Sequence, residues 1–242
     1  MAARRGWRRL RVAWQVFCYS LGALVIAFVL AQLWFFGHIV YWTRFEPETT
    51  AFMASRLESL RAEQPKTRLQ HRGVPYERIS IHLKRAVVVA EDARFLDHEG
   101  FDWEAIQEAM AKNQRKGRVV AGASTISQQL AKNLFLSGER SWLRKGQEAI
   151  ITWMLERTMS KRRILELYLN VAEWGEGVFG AEAAARYHFG VSAAALGPEQ
   201  GAWLAAILPS PRRYVRGRGT PYIEGRAATI LARMEKEGAQ IP

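Results

Sequence analysis

The sequence predicts an all-α protein, predominantly helical, carried on one N-terminal transmembrane helix. Three observations predict it. An uncharged stretch runs from Val12 to Thr43 behind a cluster of arginines. Most segments after it place their apolar residues at helical spacing. No strand alternation, internal repeat or Cys/His metal spacing interrupts the series.

The membrane element comes first. Arg4, Arg5, Arg8, Arg9 and Arg11 precede the uncharged stretch, whose centre, Leu21 to Phe36, is nearly all apolar. A spanning helix needs about 20 predominantly apolar residues. Trp14, Trp34, Tyr41 and Trp42 stand where interfacial aromatics are expected. The arginines put the N-terminus on the cytoplasmic side and the rest of the chain outside. A cleaved signal peptide is the competing reading, but its apolar core is usually only about 7–15 residues and ends in a small-x-small site. Here the run is longer and no Ala-x-Ala follows its core, so an uncleaved anchor is expected. Cys18 lies inside the span as a small apolar residue.

Thr49 to Glu63 reads as a helix and Gln64 to Pro75, with Pro65, Gly73 and Pro75, as a linker. From Ile79, Leu83, Ala86, Val87 and Ala90 line one face of a helix that delivers Glu91 at its end. Phe101 to Asn113 is the next helix, and Gln114 to Ala121 a mobile basic loop. Helices follow over Thr125 to Leu136, Trp142 to Thr158 and Lys161 to Asn170, the last capped by Ser160. Ala181 to Phe189 and Glu199 to Leu208 are two more, and Pro209 and Pro211 end the series. The organisation is a basic N-terminus (1–12), an anchor (13–43), a juxtamembrane region (44–78) and one catalytic domain (79–242).

Of 242 residues, 49% are hydrophobic and 24% charged, a globular composition long enough for a core. The net charge of +12 favours a polyanion: nucleic acid, an anionic membrane surface or a phosphate-bearing substrate. One cysteine excludes a disulfide or a Cys-based zinc site within the chain.

Two polar segments carry the chemistry. EDARFLDHEG, Glu91 to Gly100, gathers Glu91, Asp92, Asp97 and Glu99 around Arg94 and His98. Alone it reads as a solvated helix end, because charge runs are usually surface. Glu91, however, follows Val87, Val88, Val89 and Ala90, where partial desolvation would raise its pKa and suit a general base. GASTISQQLAKN, Gly122 to Asn133, offers Ser124, Gln128 and Lys132 on one face of a helix beginning near Ser124, with Gln129 and Asn133 on the adjacent strip. A Ser-capped amphipathic helix explains it as well as an anion and sugar site does. In a third segment, Arg144 and Lys145 reach Glu148 at i+4 and i+3, one turn beyond Arg140; taken alone these are ordinary surface pairs. The fourth, KRRILELYLN, reads as scaffold, with Ile164, Leu165, Tyr168 and Leu169 in the core. Neither His98 nor His188 has ligand-like neighbours, and no metal site is expected.

Together and in this order, the segments resemble the peptidoglycan glycosyltransferases. Glu91, Asp92, Phe95, His98 and Gly100 match E-D-x-x-F-x-x-H-x-G. Gly122 to Asn133 matches G-x-S-T-I-x-Q-Q-x-x-K-N, Arg144, Lys145 and Glu148 match R-K-x-x-E, and Lys161 to Asn170 matches K-x-x-I-L-E-x-Y-L-N. The stretch from Gly177 to Gly190 resembles the fifth motif. The resemblance implies a lysozyme-like helical lobe with a smaller membrane-apposed lobe. It implies a bacterial inner-membrane enzyme, catalytic domain outside the cytoplasm, that polymerises lipid II. Glu91 would be the base and Glu148 would orient the site and assist at the donor. Lys132 and Arg140 would neutralise the pyrophosphate, and Arg94, Ser124, Gln128, Gln129, Asn133 and Lys145 would complete the substrate site. The partners implied are lipid II, the undecaprenyl-pyrophosphate-linked glycan and the membrane, not nucleic acid. No cofactor is required, while a divalent cation and proteins of the wall-building machinery stay open.

No serine is followed by lysine in S-x-x-K, and 242 residues leave no room for a second catalytic domain, so a monofunctional enzyme is expected. Two rivals stand beside it: a lytic enzyme cleaving the same glycan, and a non-catalytic membrane-anchored scaffold.

Overall fold

The computed structural model describes residues 2–120, 122–136, 141–214, 220–237 and 240–242. Residues 1–41 form one unit and Trp42 to Pro242 a second, compact one. The first is almost wholly helix α1, Ala2–Trp42. Its segment Arg11–Trp42 has 32 residues and a mean hydropathy of 2.2, long and apolar enough to cross a membrane. Leu24, Ile26, Leu30 and Leu33 are all exposed along it, as lipid-facing side chains would be.

The second unit is built from α2 (Ala51–Glu63), α3 (Ile81–Glu91), α4 (Trp103–Lys116), α5 (Ile126–Phe135), α6 (Trp142–Thr158), α7 (Lys161–Val171), α8 (Ala181–Phe189), α9 (Pro198–Ile207) and α10 (Pro221–Glu237). Most begin on a side-chain cap. The hydroxyls of Thr50, Ser80, Ser141 and Ser160 and the Asp102 carboxylate each accept a backbone N–H of the first turn, satisfying one of the orphan donors there. Helix α9 lies at the centre. Ala202, Leu204, Ala205 and Ile207 are buried on it, and it packs against α3 and α10. A Cβ on Gly201 would stand 3.0 Å from the His82 carbonyl carbon and the Leu83 nitrogen. Only glycine lets α9 approach the start of α3 so closely. Helix α5 packs on α2, α6 and α7. Helix α3, which ends on Glu91, and helix α5, which carries Gln128 and Gln129, are thus each fixed against buried neighbours.

Four sequence expectations change. A three-stranded sheet exists, β1 (Gln70–His71), β2 (Glu173–Gly175) and β3 (Val178–Phe179), in the order β1-β3-β2. β1 runs parallel to β3 and β2 antiparallel to it. Strands of two or three residues are too short to show alternation, and β1 falls within the expected linker. Helix α4 runs on to Lys116 and ends on Gly117 at φ 62°, so Gln114 to Lys116 are helical rather than loop. Helix α5 is capped by Thr125, not Ser124. Finally, α10 was not expected at all. Thr220 Oγ1 accepts the Ile223 N–H at its start, and Ile223, Ile230 and Met234 are its buried stripe.

Candidate active site

The first motif folds as a clasp around the end of α3. Asp92 is buried; it accepts the Ile126 N–H at 2.9 Å and pairs with His98 Nε2 at 2.9 Å, tying the end of α3 to the start of α5. Phe95 is fully buried, with the Lys161 ammonium 4.6 Å from its ring centre. Gly100 sits at φ 91°, where a Cβ would meet Thr152 at 2.9 Å, and its carbonyl accepts the Thr125 hydroxyl at 2.7 Å. Asp97 and Glu99 are exposed. Glu91, the last residue of α3, also meets the second motif, there through a side chain: it accepts from Gln129 Nε2 at 2.8 Å.

The other predicted residues divide. Gln129, Lys132 and Asn133 line a cavity of about 490 Å³ with Phe52, Tyr168 and Glu173. Glu91, Arg94 and Ser124 line a second, of about 410 Å³. Gln128 is buried, and its Oε1 accepts the Thr125 N–H at 3.1 Å in a capping box, so it serves the start of α5. Arg94 makes a two-pronged pair with Asp102, the cap of α4, one contact at 3.1 Å, and also binds Glu104. Glu148 is 3% exposed, paired with Arg144 at 2.8 Å and with Lys145. It is therefore not the surface decoration its spacing suggested. Arg140 lies outside the described residues.

A family profile described as Transglycosylase matches residues 58–235. The chain belongs to this family. Proteins named "Biosynthetic peptidoglycan transglycosylase" resemble it over most of their length. That of Aromatoleum aromaticum is 59% identical over 87% of this chain and 91% of its own. That of Nitrosospira multiformis is 55% identical over 95% and 97%, and that of Dechloromonas aromatica 60% identical over 87% and 91%. The chain is thus a glycosyl-transferring enzyme.

The electrostatics of the candidate site follow from burial. Desolvation pushes the Glu91 carboxyl above its ordinary value, against the Gln129 hydrogen bond and the positive charges of Arg226 and Lys132, while Asp92 adds a further upward push. Desolvation likewise pushes the Lys132 ammonium below its ordinary value, against the pull of Glu148. The Lys132 ammonium makes no hydrogen bond or ion-pair contact among the described residues, and Glu148 and Glu91 act on it only from a distance. A half-buried cation so placed suits an anionic ligand.

Three site residues were missed in the sequence. Arg226, on α10, stands 3.9 Å from Glu91. Its signal was Thr220-Pro221 followed by Ile223, Ala227, Ile230 and Met234 at helical spacing. Glu173 lines the Lys132 cavity, held by Arg56 at 3.1 Å, with its carboxyl pushed up by burial. Tyr168 reads as core in the sequence; it is buried, but its hydroxyl donates to Gln129 Oε1 at 2.9 Å.

Proposed function

We propose that this transglycosylase polymerises lipid II into linear β-1,4 glycan strands of peptidoglycan. Glu91 removes the proton of the 4-hydroxyl on the N-acetylglucosamine of lipid II, the acceptor. That oxygen attacks C1 of the N-acetylmuramic acid at the reducing end of the growing strand, the donor. The C1–O bond to pyrophosphate breaks with inversion, and undecaprenyl pyrophosphate leaves. Lys132, with Arg140, neutralises the charge that builds on the leaving group, the kind of stabilisation that usually dominates such steps. Glu148 holds Arg144 and Lys145 near that charge. Ser124 and Asn133 contribute polar contacts in the two cavities. Arg94 and Gln128 act indirectly, by fixing α4 and α5.

The observation that carries this reading is geometric: Gln129 holds the Glu91 carboxylate at 2.8 Å, and Lys132, on the same helix, brings an ammonium with no ion-pair contact among the described residues into the cavity that Gln129 also lines. A raised carboxyl pKa alone would also suit the acid of a glycan-cleaving enzyme. Cleavage has no use for a half-buried cation reserved for an anion, so Lys132 favours synthesis. A buried charge of that kind is also a cost that a non-catalytic scaffold has no reason to carry.

The test is to incubate the purified protein with lipid II and, separately, with finished sacculi, each with and without chelator. Polymer from lipid II that survives chelation, and no soluble fragments from sacculi, is expected. Fragments from sacculi without polymer from lipid II contradict the reading.

A further inference from the structure

We infer that Tyr168 is a positioning residue that sets the orientation and protonation of Glu91 through Gln129. The inference rests on Glu91 as the base and adds the part that holds it ready.

Three side chains from three helices form one directed chain. The Tyr168 hydroxyl, on α7, donates to Gln129 Oε1 at 2.9 Å, and Gln129 Nε2, on α5, donates to Glu91 Oε2 at 2.8 Å at the end of α3. A primary amide offers oxygen on one side and N–H on the other, and flipping it exchanges them. An ionised carboxylate only accepts, so the amide helps Glu91 only when its nitrogen faces that way. Tyr168 supports this facing: its hydroxyl, which can equally accept, here donates to Oε1 and holds the oxygen on the far side. Tyr168 is 1% exposed, so it has little freedom to release the amide. Burial and the nearby Glu91 and Asp92 charges keep its hydroxyl protonated, and so a donor, well above the ordinary range.

The other charged groups around Glu91 are Lys132 on α5, Arg226 on α10, Asp92 and Arg94 beside it and, in the cavity it lines, Arg233 on α10, Asp102 at the start of α4 and Glu108 on α4. The first two favour the carboxylate and Asp92 opposes it. None of them can orient the carboxylate as a short hydrogen bond does. Arg226 is 3.9 Å away, and Lys132 has no hydrogen bond to it.

The experiment is the pH dependence of kcat for lipid II polymerisation by the full-length enzyme, wild type against Tyr168→Phe. The variant keeps the ring and removes only the hydroxyl. With the amide released, Glu91 loses a hydrogen bond to its charged form, so the acid limb moves to higher pH. A move of about one pH unit lowers kcat about tenfold on the acid side and leaves the alkaline plateau near wild type. A purely structural role would lower kcat at every pH alike and leave the limb in place. Gln129→Leu serves as the second variant. It is expected to move the limb in the same direction, and the double variant no further than the larger single effect. An acid limb that Tyr168→Phe and Gln129→Leu both leave unmoved overturns the inference while leaving Glu91 as base. An acid limb that persists in Glu91→Gln overturns the base reading and this inference with it.

Discussion

At the scale of single residues, Glu91 is caught between opposed demands. Burial raises its pKa, while Gln129, Arg226 and Lys132 pull it back towards ionisation. The folded state therefore holds its proton more tightly than the unfolded chain does. An acid raised in this way costs stability once pH exceeds its ordinary value, and the cost is complete above its folded pKa. Glu91→Gln removes the charge and keeps the shape. It is expected to raise stability at neutral pH by about 1 kcal/mol, a gain that vanishes as pH falls below the ordinary carboxylate range. Denaturant unfolding at pH 7.5 and about pH 4 checks the sign. Glu91 was legible in the sequence because its motif and the preceding valines announce a carboxylate at a core edge. The Tyr168 hydrogen bond and the burial of Glu148 were not. Helical periodicity marks Tyr168 as core and says nothing about a hydroxyl partner 39 residues away. Pairs at i+3 and i+4 mark Glu148 as surface, and only the fold buries it.

At the scale of elements, the site depends on how closely helices meet. Gly201 lets α9 reach the backbone at the start of α3, which delivers Glu91 at its other end. Gly201→Ala forces backbone against side chain, with an expected loss of about 1–3 kcal/mol and lower turnover. Gly146, inside α6, has no atom within 4 Å of an added Cβ. Gly146→Ala is expected to stabilise by about 0.5–1 kcal/mol with turnover unchanged. Opposite shifts in melting temperature check both. Long elements with a regular apolar stripe, such as α3, α6, α7 and α8, could be read from sequence to within a residue or two. The strands could not, because strands of two or three residues carry no period. The stripe of α10, Ile223, Ala227, Ile230 and Met234, was in the sequence, but Gly225 and the small Ala227 and Ala228 leave it faint.

At the scale of the whole molecule, a helix able to span a membrane and a basic domain suit a substrate that is itself lipid-bound and anionic. The arginines before the span are proposed to keep the N-terminus in the cytoplasm. A reporter active only outside the cytoplasm is expected to work when fused after Pro242 and to fail when fused before Met1. Replacing Arg4, Arg5, Arg8, Arg9 and Arg11 with glutamate is expected to weaken that difference. The central claim is that one desolvated carboxylate drives the transfer of a lipid-linked glycan. Its most direct test is polymerisation of purified lipid II by Glu91→Gln enzyme that retains its fold by circular dichroism and thermal melting. The account predicts loss of polymer by at least about 100-fold, the scale of removing a general base. Wild-type turnover by that folded variant would contradict it.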